Sequence, residues 1–313
     1  NVSKRQLKDH ENYDQWYKTL KTNLLKLTES CCESYDERYD KPYFATHAYL
    51  EFEDSLIGRE IGKLTSRGIA LDIGCATGRI ALRLAEEFKG VVGYDLSPHM
   101  IRQAELKLQN NQNLSSVVTF KQTDLEDGIP ELDNSVSLVV MNLGTASDLR
   151  NIVGVLKEVD RVLEPGGKFF FSFYNKEALV YRWDFIPWHI GLAAEINTHK
   201  DCLDVHSGNK LFSIYARPYT TEEVRSLFHG DLLVDKIYTY PTVSSILPNE
   251  FFENQSEVKE SIIKIDHLLS DSNMGAYIAV TGSKKECLMI IIHGAIFKEV
   301  FIKKASFISL TIN

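Results

Sequence analysis

The sequence predicts an α/β protein whose main body is one mainly parallel sheet with helices between the strands. From residue 69 onward, short apolar runs at 69–73, 91–95, 117–122, 137–141 and 168–174 alternate with longer stretches of helical character. That rhythm is the mark of parallel strands joined by crossover helices. A second observation fixes the first crossover: Gly74, Ala76 and Gly78 follow the first run at once and lead into a helix that starts at Arg79. The third is composition, since 313 residues that are 44% apolar and 25% charged can bury the core of one large domain with an insertion, or of two modest domains.

The elements follow in order. Residues 1–60 form a leader rich in charge and aromatics, and Trp16, Leu20 and Leu24, four apart, predict short helices with one apolar side. Ser97 before Pro98 reads as an N-cap with proline at the first helical position, opening a helix to about Asn110. Ile152, Leu156, Val159 and Leu163 make one buried stripe on a helix that stops before Pro165, Gly166 and Gly167. Thr220, Thr221, Glu222 and Glu223 read as a capping box, followed by a strand near 234–240, a helix around 257–269 and a strand at 275–282. Between 175 and 218 the alternation breaks into a segment too long for an ordinary connection, expected to lie as an insertion over the carboxyl edge of the sheet after the fifth strand.

Charge and cysteine content narrow the function. With 35 Lys and Arg against 43 Asp and Glu, the net charge of -8 has the wrong sign for a non-specific binder of the nucleic-acid backbone, so nucleic acid is not expected as a partner. Cys31, Cys32, Cys75, Cys202 and Cys287 include no CxxC pair and are odd in number, which favours a reducing, cytoplasmic setting over a disulfide framework. The chain opens on Asn1 without an apolar signal stretch, and is expected to be processed or to start inside a longer sequence. No run reaches the roughly twenty apolar residues of a spanning helix, so stable membrane insertion is not expected. His189, Glu195, His199, Asp204 and His206 carry metal-capable atoms without HExxH spacing, and no metal is expected. The apolar extension 286–313 is expected to pack on the domain or on a second subunit of a homo-oligomer, with membrane-surface contact or a further domain as alternatives.

The chemistry-bearing stretch is ALDIGCATGRIALRLAEEF, residues 70–88. Small residues in the turn let a ligand approach the main chain, and the free amides of the following helix face it. Dinucleotide binding asks for G-x-G-x-x-G with an acidic residue about twenty positions on; Asp95 satisfies the second requirement, but the third glycine is missing. Asp72, just before the turn, would repel a pyrophosphate and suits a ligand of cationic character.

DIGCATGR, followed by VVGYDLSPHM, KQTDLED and RVLEPGGKFFFSFYN, resembles the class I S-adenosylmethionine-dependent methyltransferases, in particular the small-molecule branch that includes the quinone-biosynthesis methyltransferases. The resemblance covers about 68–175 and again 220–282. It implies a Rossmann-like, seven-stranded, mainly parallel sheet, a methyltransferase domain over 61–285, and S-adenosyl-L-methionine as methyl donor. It also implies that Gly74, Ala76 and Gly78 lie under the donor, that Asp72 meets its amino group directly or through water, and that Asp95 accepts its ribose hydroxyls. Asp124 and the Leu125 amide would meet the adenine edge, Leu96 and Met100 would pack on the ring, and Asn142 would face the methionyl part. Ala76 stands where many members have glycine, which ordinary dihedrals would tolerate. Each acid also has a bland reading: Asp72 as a strand-end carboxylate, Asp95 as the cap of the helix after Ser97, Asp124 as the cap of an acidic turn.

The acceptor is less legible. In the leader, Tyr35, Asp36, Tyr39 and Tyr43 resemble the aromatic lid of the family, with Tyr39 the candidate for donor contact and catalysis. In the insertion, Tyr181, Trp183, Trp188, His206, Tyr215 and Arg217 are candidates for substrate binding, and His189 is the candidate base because imidazole titrates near neutral pH. These residues fit a small acceptor with an apolar or planar portion and a polar or acidic group, methylated on oxygen or nitrogen. The alternatives are a protein or RNA methyltransferase and a non-catalytic S-adenosylmethionine-binding protein.

Overall fold

The structure, a computed structural model, describes residues 4–37, 43–182, 194–197, 200–207, 209–252 and 256–286. Among the described residues, helices α1 (Lys4–Cys31) and α2 (Phe44–Gly62) precede β1 (Ile69–Ile73), α3 (Arg79–Leu84), β2 (Gly90–Asp95), α4 (Pro98–Gln109), β3 (Val118–Gln122), β4 (Val136–Met141), α5 (Ile152–Val162) and β5 (Leu163–Tyr174). The short α6 (Leu179–Arg182) leads to β6 (Ala194–Asn197), β7 (Cys202–Ser207) and β8 (Lys210–Tyr215). The chain then returns through α7 (Thr221–Leu227), β9 (Leu232–Tyr240), α8 (Ser256–Leu268) and β10 (Tyr277–Lys284).

The main sheet has seven strands in the order β3-β2-β1-β4-β5-β10-β9. Pairings from β3 across to β5 are parallel, and β10 is antiparallel to both of its neighbours. Side-chain alternation divides the core. Leu138, Val140 and Phe170 face Tyr49, Phe52 and Leu56 of α2 with Ile80 and Leu84 of α3, while Val139, Met141, Phe169 and Phe171 face Val155, Leu156 and Val159 of α5. All six residues of β4 are buried, as a central parallel strand covered on both faces must be. The seven-stranded, mainly parallel architecture is therefore the one the sequence predicts, with the insertion after β5.

Local signals position the elements. The Ser97 hydroxyl accepts from the Met100 amide at 3.3 Å and Pro98 occupies the first turn of α4. Thr220 and Glu223 exchange both bonds of a capping box at the start of α7. β5 starts earlier than the apolar run suggests: its register on β4 passes from Leu163 opposite Val136 to Lys168 opposite Leu138, so residues 164–167 bulge out where Gly166 takes a positive φ of 81°.

The leader corrects one expectation, because α1 runs for 28 residues and α2 for 19 instead of forming short helices. No Gly or Pro interrupts residues 4–31, and the stripe begun by Leu20 and Leu24 continues through Leu27 and Cys31. That stripe packs on Val205 and Ile214 of the insertion and on Met100. The described part of the insertion is a three-stranded antiparallel sheet, β6-β7-β8. Together α1 and this sheet roof the carboxyl edge of the main sheet. If that packing carries the roof, Leu27→Ala should cost about 2–4 kcal/mol, whereas Leu211→Ala, at a position 57% exposed, should change stability by less than about 0.5 kcal/mol; urea unfolding of the two variants checks this.

Candidate active site

The turn after β1 is held from two sides by carboxylates. Gly74 and Gly78 have φ of 71° and 85°, and Ala76 has 45°. A left-handed alanine is strained, so the dihedral here is not the ordinary one that would make the missing glycine harmless. Asp95, at the end of β2, accepts the Ala76 amide on Oδ2 at 2.9 Å and the Ser97 amide on Oδ1 at 2.8 Å. Beneath the turn, Asp72 accepts the Ala81 amide of α3 on Oδ2 at 3.0 Å, and its buried Oδ1 has no hydrogen-bond partner. A Cβ at Gly74 would meet Thr145 at 2.5 Å and one at Gly78 would meet Phe120 at 2.6 Å, so packing as well as dihedral excludes side chains there.

Over this turn lies a cavity of about 790 Å³, within the usual size range of small-molecule sites. Among the candidate donor contacts, Gly74, Ala76, Asp95, Leu96, Met100, Asp124, Leu125 and Asn142 line it. Asp72 and Gly78 are not among its described lining residues; they support the turn from below. The cavity thus spans the carboxyl ends of β1 to β4, the edge at which open α/β sheets bind ligands.

The leader closes the β3 end of the cavity. Lys21 of α1 bonds the Asp124 carboxylate, and the Tyr17 hydroxyl donates to Glu126 at 3.1 Å. Burial, followed by the Glu126 charge, pushes the Tyr17 phenol well above its usual range. Arg150 lies over the Tyr17 ring, 4.3 Å from its centroid, and bonds Asp14 at 2.7 Å. Nearer the turn, Asp36 accepts from Thr77 at 2.6 Å and pairs with Lys107.

The candidates for acceptor handling separate. Tyr215 lines the cavity and meets Tyr17 edge-on, with centroids 5.3 Å apart. Tyr35 and Tyr43 line it as well. His206 and Arg217 are exposed, and the Arg217 guanidinium sits over the Tyr219 ring at 4.8 Å. Tyr181 is not among the described lining residues; it packs with Ala178, Val180 and Ile246, and its phenol lies close enough to act electrostatically on Tyr174 and Tyr277, which do line the cavity. Leu203 and Val205 of β7 line the cavity, and His206, next along the strand, is turned outward by the strand's two-residue period. Tyr39, Trp183, Trp188, His189 and His199 lie outside the described residues. Among the described residues, no group of three His, Cys, Asp or Glu side chains is placed to hold a metal ion, and no helix is long and apolar enough to cross a membrane.

Lys21, Asp148, Tyr174 and Tyr277 are among the lining residues that escaped the sequence reading. Asp148 follows a short 3-10 turn after β4, and a signal was available in its closeness to the strand end that also carries Asn142. Glu53 of α2, fully buried, accepts the Leu143 amide at 2.7 Å and so ties the leader to the end of β4.

Comparison with known proteins agrees with this geometry. Residues 71–171 match the family described as a methyltransferase domain. The chain is 35% identical over 112 residues to a demethylmenaquinone methyltransferase of Lactobacillus johnsonii, covering 34% of this chain and 43% of that one. It is 40% identical over 104 residues to a demethylmenaquinone methyltransferase of Staphylococcus carnosus, covering 31% and 39%. The matched segment spans less than half the length of these relatives. Among solved structures, an S-adenosylmethionine-dependent methyltransferase from Clostridium acetobutylicum superposes with a TM-score of 0.50 at 18% identity, over 81% of this chain and 97% of that one. A Pyrococcus horikoshii protein gives 0.50 at 18% identity, over 76% and 91%. The fold and the strand-edge cavity define a ligand-binding α/β protein of the doubly wound class. More narrowly, residues 71–171, which form the parallel half of that sheet, match a methyltransferase domain.

Two buried acids give the domain a pH signature. Desolvation raises Asp72 to about 7, against the Ala81 amide and Arg79, and raises Glu53 to about 8, against the Leu143 amide and Arg79. Between the unfolded carboxyl range near pH 4 and these values the folded chain binds more protons than the unfolded one, so stability falls as pH rises and levels off above about 8. Each acid should contribute up to roughly 4 kcal/mol to that fall, and Asp72→Asn and Glu53→Gln should each flatten the stability profile measured by urea unfolding from pH 4.5 to 8.5. Ala76→Gly should relieve the left-handed strain and stabilise the free protein by about 1 kcal/mol in the same assay.

Proposed function

We propose that this chain is a methyltransferase that moves the methyl group of S-adenosylmethionine to oxygen or nitrogen of a small molecule. The observation that carries the reading is the convergence of Asp95, Asp124 and Asn142 from successive strand ends on one cavity above the Gly74–Ala76 turn. The residues fit the donor. Each Asp95 oxygen uses one lone pair on a backbone amide, which leaves a second for a ribose hydroxyl. Leu96, Met100 and Leu125 supply an apolar wall for a planar base, and Asn142 offers an amide where the methionyl part would run. When bound, the donor supplies a methyl group on a positively charged sulfur. What remains for the protein is to align the acceptor and exclude water.

The roof supports that division of labour, because α1 and the insertion sheet cover the cavity with Leu24, Leu27, Val205 and Ile214. A roofed cavity of about 790 Å³ suits a small acceptor over a macromolecule, as does the acidic net charge of -8. The relatives named above act on demethylmenaquinone by name, but less than half of each is covered, and the family match ends at 171, before Tyr174, Tyr277 and the insertion. Their acceptor is therefore not carried over to this chain.

Calorimetry with S-adenosylmethionine, its demethylated product and NAD tests the donor assignment: both sulfur compounds should bind and NAD should not. Asp95→Asn, which keeps an acceptor for one of the two amides, should weaken the demethylated product by on the order of 2 kcal/mol. Unchanged affinity would remove Asp95 from the ribose site.

A further inference from the structure

The cavity has a second half that the proposed donor contacts do not use. Strand order places β5 and β10 beyond β4, on the far side from β2 and β3. Because β10 is antiparallel, its first residue, Tyr277, lies opposite Tyr174 at the end of β5. Their ring centroids are 5.6 Å apart at an interplanar angle of 41°. Both rings line the cavity, together with Tyr35 from the leader and Asp148 from the turn after β4.

The tyrosines are held in place. The Tyr174 ring lies flush against Gly144, where a Cβ would come within 2.6 Å of a ring carbon. Tyr277 stacks on Tyr49 at 4.0 Å and 10°. The Tyr49 hydroxyl bonds Ser172, whose oxygen also accepts the Gly144 amide at 2.9 Å. One network therefore fixes both rings and the turn that carries Asp148.

The electrostatics of this half are one-sided. Asp148 Oδ1 is buried without a hydrogen-bond partner. Among the described residues, the two cations that line the cavity are engaged elsewhere, Lys21 with Asp124 and Arg79 beside Asp54 at 3.7 Å, where its charge also reaches Asp72 and Glu53. Desolvation, and then the Asp95 charge, raises the Asp148 carboxyl well above its usual range, which a neighbouring cation would reverse. Aromatic faces carry negative potential, and tyrosines around one carboxyl group form a box that recognises an ammonium ion.

We propose that Asp148, Tyr35, Tyr174 and Tyr277 form the acceptor subsite and that it takes a protonated amine, so that nitrogen is the atom methylated. The inference rests on the methyltransferase reading above and names its substrate class. The step balances. The bound ammonium gives one proton to Asp148, and the freed lone pair forms the new C–N bond as the C–S bond breaks with its electrons left on sulfur. The positive charge passes from sulfur to nitrogen, and Asp148 returns its proton to water.

The probes are choline and its neutral carbon isostere 3,3-dimethylbutan-1-ol, titrated calorimetrically into the full chain saturated with the demethylated donor. Choline should bind at least tenfold more tightly than the alcohol. Asp148→Asn should erase most of that preference while leaving affinity for the demethylated donor within twofold, and Tyr277→Leu should lower choline binding at least fivefold. Equal binding of the two probes would overturn the proposal. So would an Asp148→Asn variant that loses affinity for S-adenosylmethionine but not for its demethylated product, since the box would then serve the donor's sulfonium. If the native chain binds neither sulfur compound, the methyltransferase reading fails by itself; repeating the probe comparison without donor then decides the amine box, equal binding again overturning it.

Discussion

A single carboxylate fixes the geometry on which the rest of the site depends. Asp95 bonds the Ala76 amide with one oxygen and the Ser97 amide with the other, so it sets both the turn after β1 and the first turn of α4. The two segments are neighbours because β1 and β2 pair in parallel, with Asp72 opposite Gly93. The arrangement carries a cost, since Ala76 sits in a left-handed conformation that alanine resists. Strain of this kind persists only where the surroundings overdetermine it, and here the Asp95 bond, the packed Gly74 and the helix start at Gly78 do so.

The second constraint is electrostatic. Asp72, Asp95, Asp148 and Glu53 are all raised first by desolvation. Such a cluster opposes folding, because burying several acids near one another favours their neutral forms. Arg79 offsets part of it for Asp72 and Glu53, whereas the Asp95 charge adds to the effect of burial on Asp148. A site left with this imbalance favours ligands that bring positive charge, which a sulfonium donor and an ammonium acceptor both do.

Much of the fold was legible because its signals are local. The 97–98 cap, the 220–223 capping box and the α5 stripe each lie within a few residues, and each appears in the structure where the sequence places it. The donor edge was legible for a related reason: acids at strand ends stay at strand ends whatever the packing. What stayed hidden depends on partners distant in sequence. The Lys21–Asp124 bond joins residues 103 positions apart, and Tyr174 meets Tyr277 only because β10 inserts antiparallel beside β5. Asp148 reads in sequence as one more polar turn residue, and its burial is a tertiary fact. Likewise, nothing in residues 200–217 reveals which face of β7 turns inward, so His206 looked as eligible as its neighbours until the strand's period turned it outward.

The two halves of the cavity are built from different parts of the chain. The donor half comes from β1 to β4 inside the matched stretch 71–171, whereas the tyrosines of the other half come from the leader, the end of β5 and the start of β10. Only α1 spans both. Its Tyr17 and Lys21 reach Glu126 and Asp124 beside the donor edge, and its Leu27 and Cys31 pack on the insertion sheet. Because no β1–β4 residue contributes a ring to the box, its tyrosines can change without disturbing the Asp95-bonded turn. Movement of α1, by contrast, would disturb the donor edge and the roof together, since the bonds to Asp124 and Glu126 and the apolar packing on the insertion sheet are made by one helix. Water exclusion at the donor edge is thereby coupled to the seating of the roof, and exclusion of water is a condition that methyl transfer imposes.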